Sequence, residues 1–190
     1  MIVDFANLEL KNRYKIMSRS VIPRPIAWIV TEGKTLNIAP FSYFMALSSN
    51  PATLVVSIGH KKDGSPKDTL KNILETKKCT ICSVAPEQIT KMHESSEMLP
   101  EEISEAKTFD ISTQKILADF PPIIEGAPSA FFCRLYQKID LKGSKTIPLI
   151  LEIESYYVED RYANENFDIE FQTVARVGKE YRLCEKKIEP

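Results

Sequence analysis

Glycine is scarce in this 190-residue chain: six in all, at positions 33, 59, 64, 126, 143 and 178. No two stand one residue apart, which excludes the G-x-G-x-x-G turn that seats a dinucleotide's pyrophosphate at a helix start. The G-x-x-x-x-G-K-[ST] phosphate loop and the G-x-S-x-G nucleophile elbow are missing as well. His60 and His93 are the only histidines, too few for a histidine-built metal centre, and no metal site is expected. A dominant charge is also lacking. With 25 Lys+Arg against 26 Asp+Glu, the formal net charge of -1 gives no electrostatic footing for nucleic acid or an anionic membrane. No apolar run approaches the roughly 18 residues of a membrane span. Asp4, Glu9, Lys11 and Arg13 interrupt the stretch where a signal peptide needs its apolar core, so the expected location is cytoplasmic.

What is present describes an ordinary folded chain. At 43% hydrophobic and 27% charged residues it is too apolar for disorder, and its length suits a single domain over 1–190. The four cysteines, Cys79, Cys82, Cys133 and Cys184, read as reduced and buried. Cys79 and Cys82 form a C-x-x-C inside a strand pattern, where residues three apart face opposite sides, which disfavours a shared metal, and where the helix start usual for a redox pair is lacking.

Short runs rich in β-branched and aromatic residues predict strands at Ile26–Thr31, Thr53–Ile58, Lys78–Val84, Ala130–Tyr136 and Leu149–Val158. A further pair, Thr173–Val177 with Tyr181–Leu183, turns at Gly178, and Glu32-Gly33-Lys34-Thr35 returns the first strand through Leu36–Ile38. Helices are predicted over Thr69–Lys77 with Asp68 as cap, over Pro86–Met92, and over Thr113–Asp119 capped by Ser112. The acidic stretch from His93 to Thr108 reads as a surface excursion. Five to seven strands without β-α-β alternation predict a mainly β fold, an antiparallel barrel with peripheral helices.

Two stretches carry polar residues beyond what a plain core needs. Lys67-Asp68-Thr69 offers an ammonium, a hydroxyl and free N–H groups at a helix start, which suits a phosphate; an ordinary Asp cap beside a solvated lysine fits the same residues. Asn37-Ile38-Ala39-Pro40-Phe41-Ser42 offers an amide, a hydroxyl and apolar surface for a flat heteroaromatic ring. A strand that ends at Pro40 and packs Phe41, Tyr43 and Phe44 inside fits equally.

Taken together, Pro23–Thr31, Asn37–Phe44, Asn50-Pro51 and Lys67-Asp68-Thr69 with Asn72-Ile73 resemble, in order and spacing, the flavin reductase-like family of FMN-binding split barrels, to which flavoredoxin-type proteins belong. Val174-Ala175-Arg176-Val177-Gly178 resembles that family's late Arg-Leu-Gly-Gly stretch. The resemblance implies a six-stranded antiparallel Greek-key split barrel, a homodimer, bound FMN and NAD(P)H as co-substrate. Carried over, Asn37, Ala39, Pro40, Phe41 and Ser42 would line the isoalloxazine, with Ser57 and Ile58 nearby. Lys67, Asp68 and Thr69 would meet the ribityl phosphate, and Arg24 would be a second cation for phosphate or ring. Redox chemistry is then the flavin's own, and no catalytic side chain is assigned. An NAD(P)H-dependent flavin reductase is the implied activity; an electron carrier, a flavin store and a purely structural barrel are the alternatives. The chain departs from the family where Leu149–Glu154 and Lys179 replace usual glycines, and over Glu101–Phe109.

Overall fold

Ala27, Trp28, Ile29, Val30 and Thr31 are consecutive and all fully buried, so the strand they form must be covered on both faces. That requirement shapes the whole molecule. A computed structural model describes residues 1–183. In chain order it contains α1 (Leu10–Ser20), β1 (Arg24–Pro25), β2 (Ala27–Glu32), β3 (Leu36–Phe41), β4 (Phe44–Ser49), β5 (Ala52–Gly59), α2 (Asp68–Thr76) and β6 (Lys78–Cys82). There follow α3 (Ile89–Glu94), α4 (Glu105–Thr108), β7 (Thr113–Gln114), β8 (Ile123–Ile124), β9 (Ser129–Lys138), β10 (Thr146–Val158), β11 (Val174–Val177) and β12 (Glu180–Leu183).

Seven strands make one antiparallel sheet in the order β3-β2-β6-β9-β10-β5-β4. Its two edge strands, β3 and β4, are joined by Ser42 and Tyr43 alone, so the edges meet there and the sheet curls into a half-barrel. The long β9 and β10 accommodate the curl with register shifts between Ile150 and Leu151 and between Ile153 and Ser155.

Inside the curl, Ala27, Ile29, Leu54, Val56, Ile58, Ile81, Leu149 and Leu151 pack with Leu70 and Ile73 of α2. The other face of β2 carries Trp28 and Val30 into a second core, closed by Met92, Ile111, Phe120, Ile123 and Ile124 from the segment between β6 and β9. β1 leaves the main sheet and pairs with β11 and β12 in a small sheet of its own.

Most predicted strands lie within a residue or two of the observed ones. The fold is the mainly β split barrel expected, with seven strands in the principal sheet rather than six. Asp68 is the first helical residue and not the cap; Lys67, with extended backbone, holds the N-cap position and makes no side-chain cap bond. Thr113–Asp119 is not a helix, because Thr113 and Gln114 pair with β8 instead. The acidic segment is more than an excursion. Ser95 and Glu105 are buried, and Ser104 Oγ donates to Leu36 O at 2.5 Å while the Glu105 carboxylate accepts from Ile38 N–H at 3.0 Å. That seals part of the β3 edge. Cys79 and Cys82 face opposite cores, as their spacing requires, and Cys133 is buried opposite Cys79. Cys184 lies outside the described residues.

Candidate functional site

The open edge of β3 borders two adjoining clefts. Ile38 gives its N–H to Glu105 and not to β2, so pleating turns the backbone groups of Leu36, Ile38 and Pro40 outward. Proline fits that row, having no N–H to leave unpaired at an edge.

The first cleft, about 160 Å³, is lined by Pro40, Phe41 and Ser42 of the edge together with Tyr14, Met92, His93, Ser96, Arg176 and Tyr181. The volume is on the order of the ~150 Å³ that houses one benzene ring. The second cleft shares Pro40 and Ser96 with the first. It runs past Asn37 and Ala39 to the start of α2, where Lys61, Lys67, Asp68, Thr69 and Glu105 close it. One observation ties the two predicted stretches together. The Lys67 ammonium lies 5.5 Å from the centre of the Phe41 ring.

The second cleft holds Lys61 and Lys67 beside Asp68, Glu97 and Glu105, and Lys67 is the cation there that an anion would meet. Lys67 is without an ion-pair partner among the described residues, and burial lowers its pKa. It also begins a nine-residue helix whose first N–H groups have no side-chain cap. Asp68 would oppose an anion, but its carboxylate is bound to Lys61 Nζ at 2.7 Å. Burial raises the pKa of Glu105, against the pull of its bond from Ile38 N–H.

Beneath this surface runs a buried polar network. Asn37 Nδ2 donates to Thr69 Oγ1 at 2.9 Å and to Thr31 Oγ1 at 3.2 Å, and Asn72 Nδ2 donates to Thr31 Oγ1 at 3.1 Å. Asn37 and Thr69 thus border the cleft while their side chains are occupied with each other.

Residues 17–175 match the model of the flavin reductase like domain. The chain belongs to the flavin reductase-like family. An uncharacterized protein of Aquifex aeolicus is 32% identical over 168 residues, which cover 87% of this chain and 85% of that one. Among solved structures, nitrilotriacetate monooxygenase component B from Bacillus cereus superposes with a TM-score of 0.93 at 24% identity, covering 100% of this chain and 98% of that one. Pseudomonas fluorescens 2-nitrobenzoate 2-nitroreductase NbaA superposes with a TM-score of 0.90 at 25% identity, covering 100% and 95%.

Family membership makes a flavin the group to test against these clefts, and the donors fit one. An unpaired ammonium at an uncapped helix start suits a phosphate. The outward backbone of β3, with Pro40 and Phe41, gives an apolar edge with fixed polar groups to a flat ring. Eight of the eleven residues named from sequence line one cleft or the other: Asn37, Ala39, Pro40, Phe41, Ser42, Lys67, Asp68 and Thr69. Three do not. Ile58 is fully buried inside the curl, and Ser57, beside it on β5, donates its N–H to Tyr43 O at 2.9 Å. Arg24 instead holds the end of α1, with Nη1 donating to Ser18 O and, at 3.1 Å, to Val21 O.

Sequence reading missed Tyr14, Ser96 and Tyr181 as cleft residues and assigned no ligand role to His93 or Arg176. These come together only through tertiary contacts, His93 Nδ1 meeting Tyr181 Oη at 2.9 Å across 88 residues of chain.

Proposed function

We propose that the protein is an FMN-dependent oxidoreductase, an NAD(P)H:flavin reductase, that binds the FMN phosphate at Lys67 and the start of α2 and its ring along Asn37–Ser42. The observation that carries this reading is the 5.5 Å approach of Lys67 to Phe41, which brings a desolvated cation and a ring-binding edge within the reach of one mononucleotide. Backbone N–H groups of Asp68, Thr69 and Leu70 bind the phosphate, and the Lys67 ammonium completes its charge. Lys61 holds the Asp68 carboxylate away from that anion. Thr69 acts through Asn37, fixing the strand against the helix.

When bound, the flavin supplies hydride chemistry; the chain supplies position and electrostatics. The ring-sized first cleft beside Pro40, Phe41 and Ser42 leaves room for a second planar group, which supports turnover over mere storage. The nitroreductase identity of NbaA, a similar protein, also favours an oxidoreductase. The working form is a homodimer, a reading supported by the exposed Met45 and Leu47 of the edge strand β4 and by Met17, Val21 and Ile22 at the end of α1.

Titration of the protein with FMN, FAD and riboflavin tests the cofactor assignment. FMN should bind more tightly than riboflavin, which lacks the phosphate; equal affinity for the two would refute the phosphate site. Anaerobic addition of NADH or NADPH should then bleach the bound flavin, and a flavin that stays oxidised would refute the reductase activity.

A further inference from the structure

Strand β1 pairs with β11 so that Arg24 stands directly opposite Arg176. Opposed residues of an antiparallel pair present their side chains on the same face, and like charges so placed destabilise it. Neither guanidinium has a carboxylate partner among the described residues. Arg24 is 5% exposed. Its Nη1 reaches the carbonyls that end α1, which partly offset its charge, but Nε and Nη2 are buried without any partner. Arg176 stacks on the Tyr181 ring at 4.3 Å, donates Nε to Gly178 O at 3.2 Å, and lines the first cleft. Tyr43, 5.7 Å from the Arg24 guanidinium, packs 6.2 Å from Tyr14 of the same cleft wall.

The remaining lining agrees in sign. His93 spends Nδ1 on the Tyr181 hydroxyl, which leaves Nε2 for a ligand. Among the described residues no acidic one lines this cleft, whereas the second cleft has three. Ile26, Pro40, Phe41 and Met92 provide apolar walls around space for one ring. A ring-sized cleft with a largely polar lining around a few apolar side chains, whose only charged side chain among the described residues is an unpaired arginine backed by a second one, calls for a planar anion.

We propose that the first cleft binds an aromatic carboxylate, with Arg176 as the anchor of the carboxylate and His93 Nε2 as an additional donor. Arg24 raises the positive potential behind Arg176 and does not itself touch the ligand. The proposal names a ligand class for the cleft beside the proposed flavin site and so rests on that reading, yet binding can be measured apart from it.

Benzoate and benzamide, one ring with and without the charge, are titrated calorimetrically into the FMN-loaded protein and into its Arg176→Gln variant. Benzoate should bind about tenfold more tightly than benzamide, the scale of one charge-assisted contact. In Arg176→Gln that advantage should vanish while FMN affinity and the melting temperature stay unchanged. Equal binding of the two probes, or a benzoate advantage that survives in Arg176→Gln, overturns the proposal. Displacement of benzoate by inorganic phosphate at equal concentration also overturns it, since the site would then select an anion without the ring. Should FMN fail to bind, the cofactor reading falls, and the same titrations on the flavin-free protein still decide the anion site.

Discussion

Lys67 and Thr69 sit two residues apart at the same helix start, yet their environments assign them opposite roles. The Lys67 ammonium is desolvated and unpaired, so removing it relieves a cost in the empty protein and weakens only the bound state. Thr69 is 1% exposed and receives a hydrogen bond from Asn37. Lys67→Ala should therefore weaken FMN by about 1–3 kcal/mol with no loss of folding stability, read by flavin titration and urea melts. Thr69→Val should do the reverse in emphasis, costing about 1 kcal/mol or more of stability by leaving an Asn37 N–H short of a partner. Glu105 allows a test by pH. Burial holds its folded pKa above the ordinary 4.5, so the folded chain keeps a proton that the unfolded chain has lost. Its contribution is complete below that value and falls as pH rises toward the folded pKa. Glu105→Gln keeps an acceptor for Ile38 N–H and cannot ionise. Urea midpoints of the wild type should thus decline relative to Glu105→Gln as pH rises above 4.5; a constant difference would contradict the raised pKa.

At the scale of elements, the segment from α3 to α4 is fastened to the barrel by side chains rather than by a ladder of backbone bonds. Trp28 Nε1, wholly buried on β2, donates to Ser95 Oγ at 3.0 Å, and Ser95 Oγ donates in turn to Met92 O at 2.9 Å. Ser95→Ala strands the indole N–H in an apolar core. Chemical denaturation should show a loss of about 1–3 kcal/mol, against little change for Ser96→Ala on the exposed side. The same fastening explains what could be read from sequence and what could not. Strands such as Thr53–Ile58 announce themselves because apolar residues alternate onto one packed face, here Leu54, Val56 and Ile58. Helix α1 gave no such signal, since Ser18 is its only buried residue. Thr113–Asp119 has helical spacing, but pairing with Ile123 and Ile124 overrode that local preference. At the clefts, Asn37–Ser42 and Lys67–Thr69 could be singled out from sequence because each is a local motif, a strand edge and a helix start. Tyr14, His93, Arg176 and Tyr181 were not, because no short window holds two sides of a cleft. Ser57 and Ile58, neighbours on β5, point to opposite faces, Ile58 into the closed core, and neither lines a cleft.

For the molecule as a whole, the two edges of the curled sheet are treated differently. The β3 edge is covered in part, with Ser104 and Glu105 bonded to its backbone. The β4 edge pairs only with β5 and exposes Met45 and Leu47, at 59% and 50%. An apolar, unprotected edge invites association with another chain. Single exposed residues would need no explanation, but Met17, Val21 and Ile22 of the α1 terminus are exposed as well, and β1, which follows α1, contacts β4. A second copy that covers this region would shield the edge and would need to bury on the order of 1,200 Å² in total to be stable. Sedimentation at micromolar concentration should accordingly give a dimer for the wild type. Leu47→Glu should shift it to monomer while far-ultraviolet circular dichroism stays unchanged, because this side chain is absent from either core. If FMN is held within one subunit, the monomeric variant should keep its flavin affinity. If the partner completes the site, affinity should fall with dissociation and become dependent on protein concentration. A wild type that sediments as a monomer would refute the homodimer and leave the β4 edge without a role in assembly.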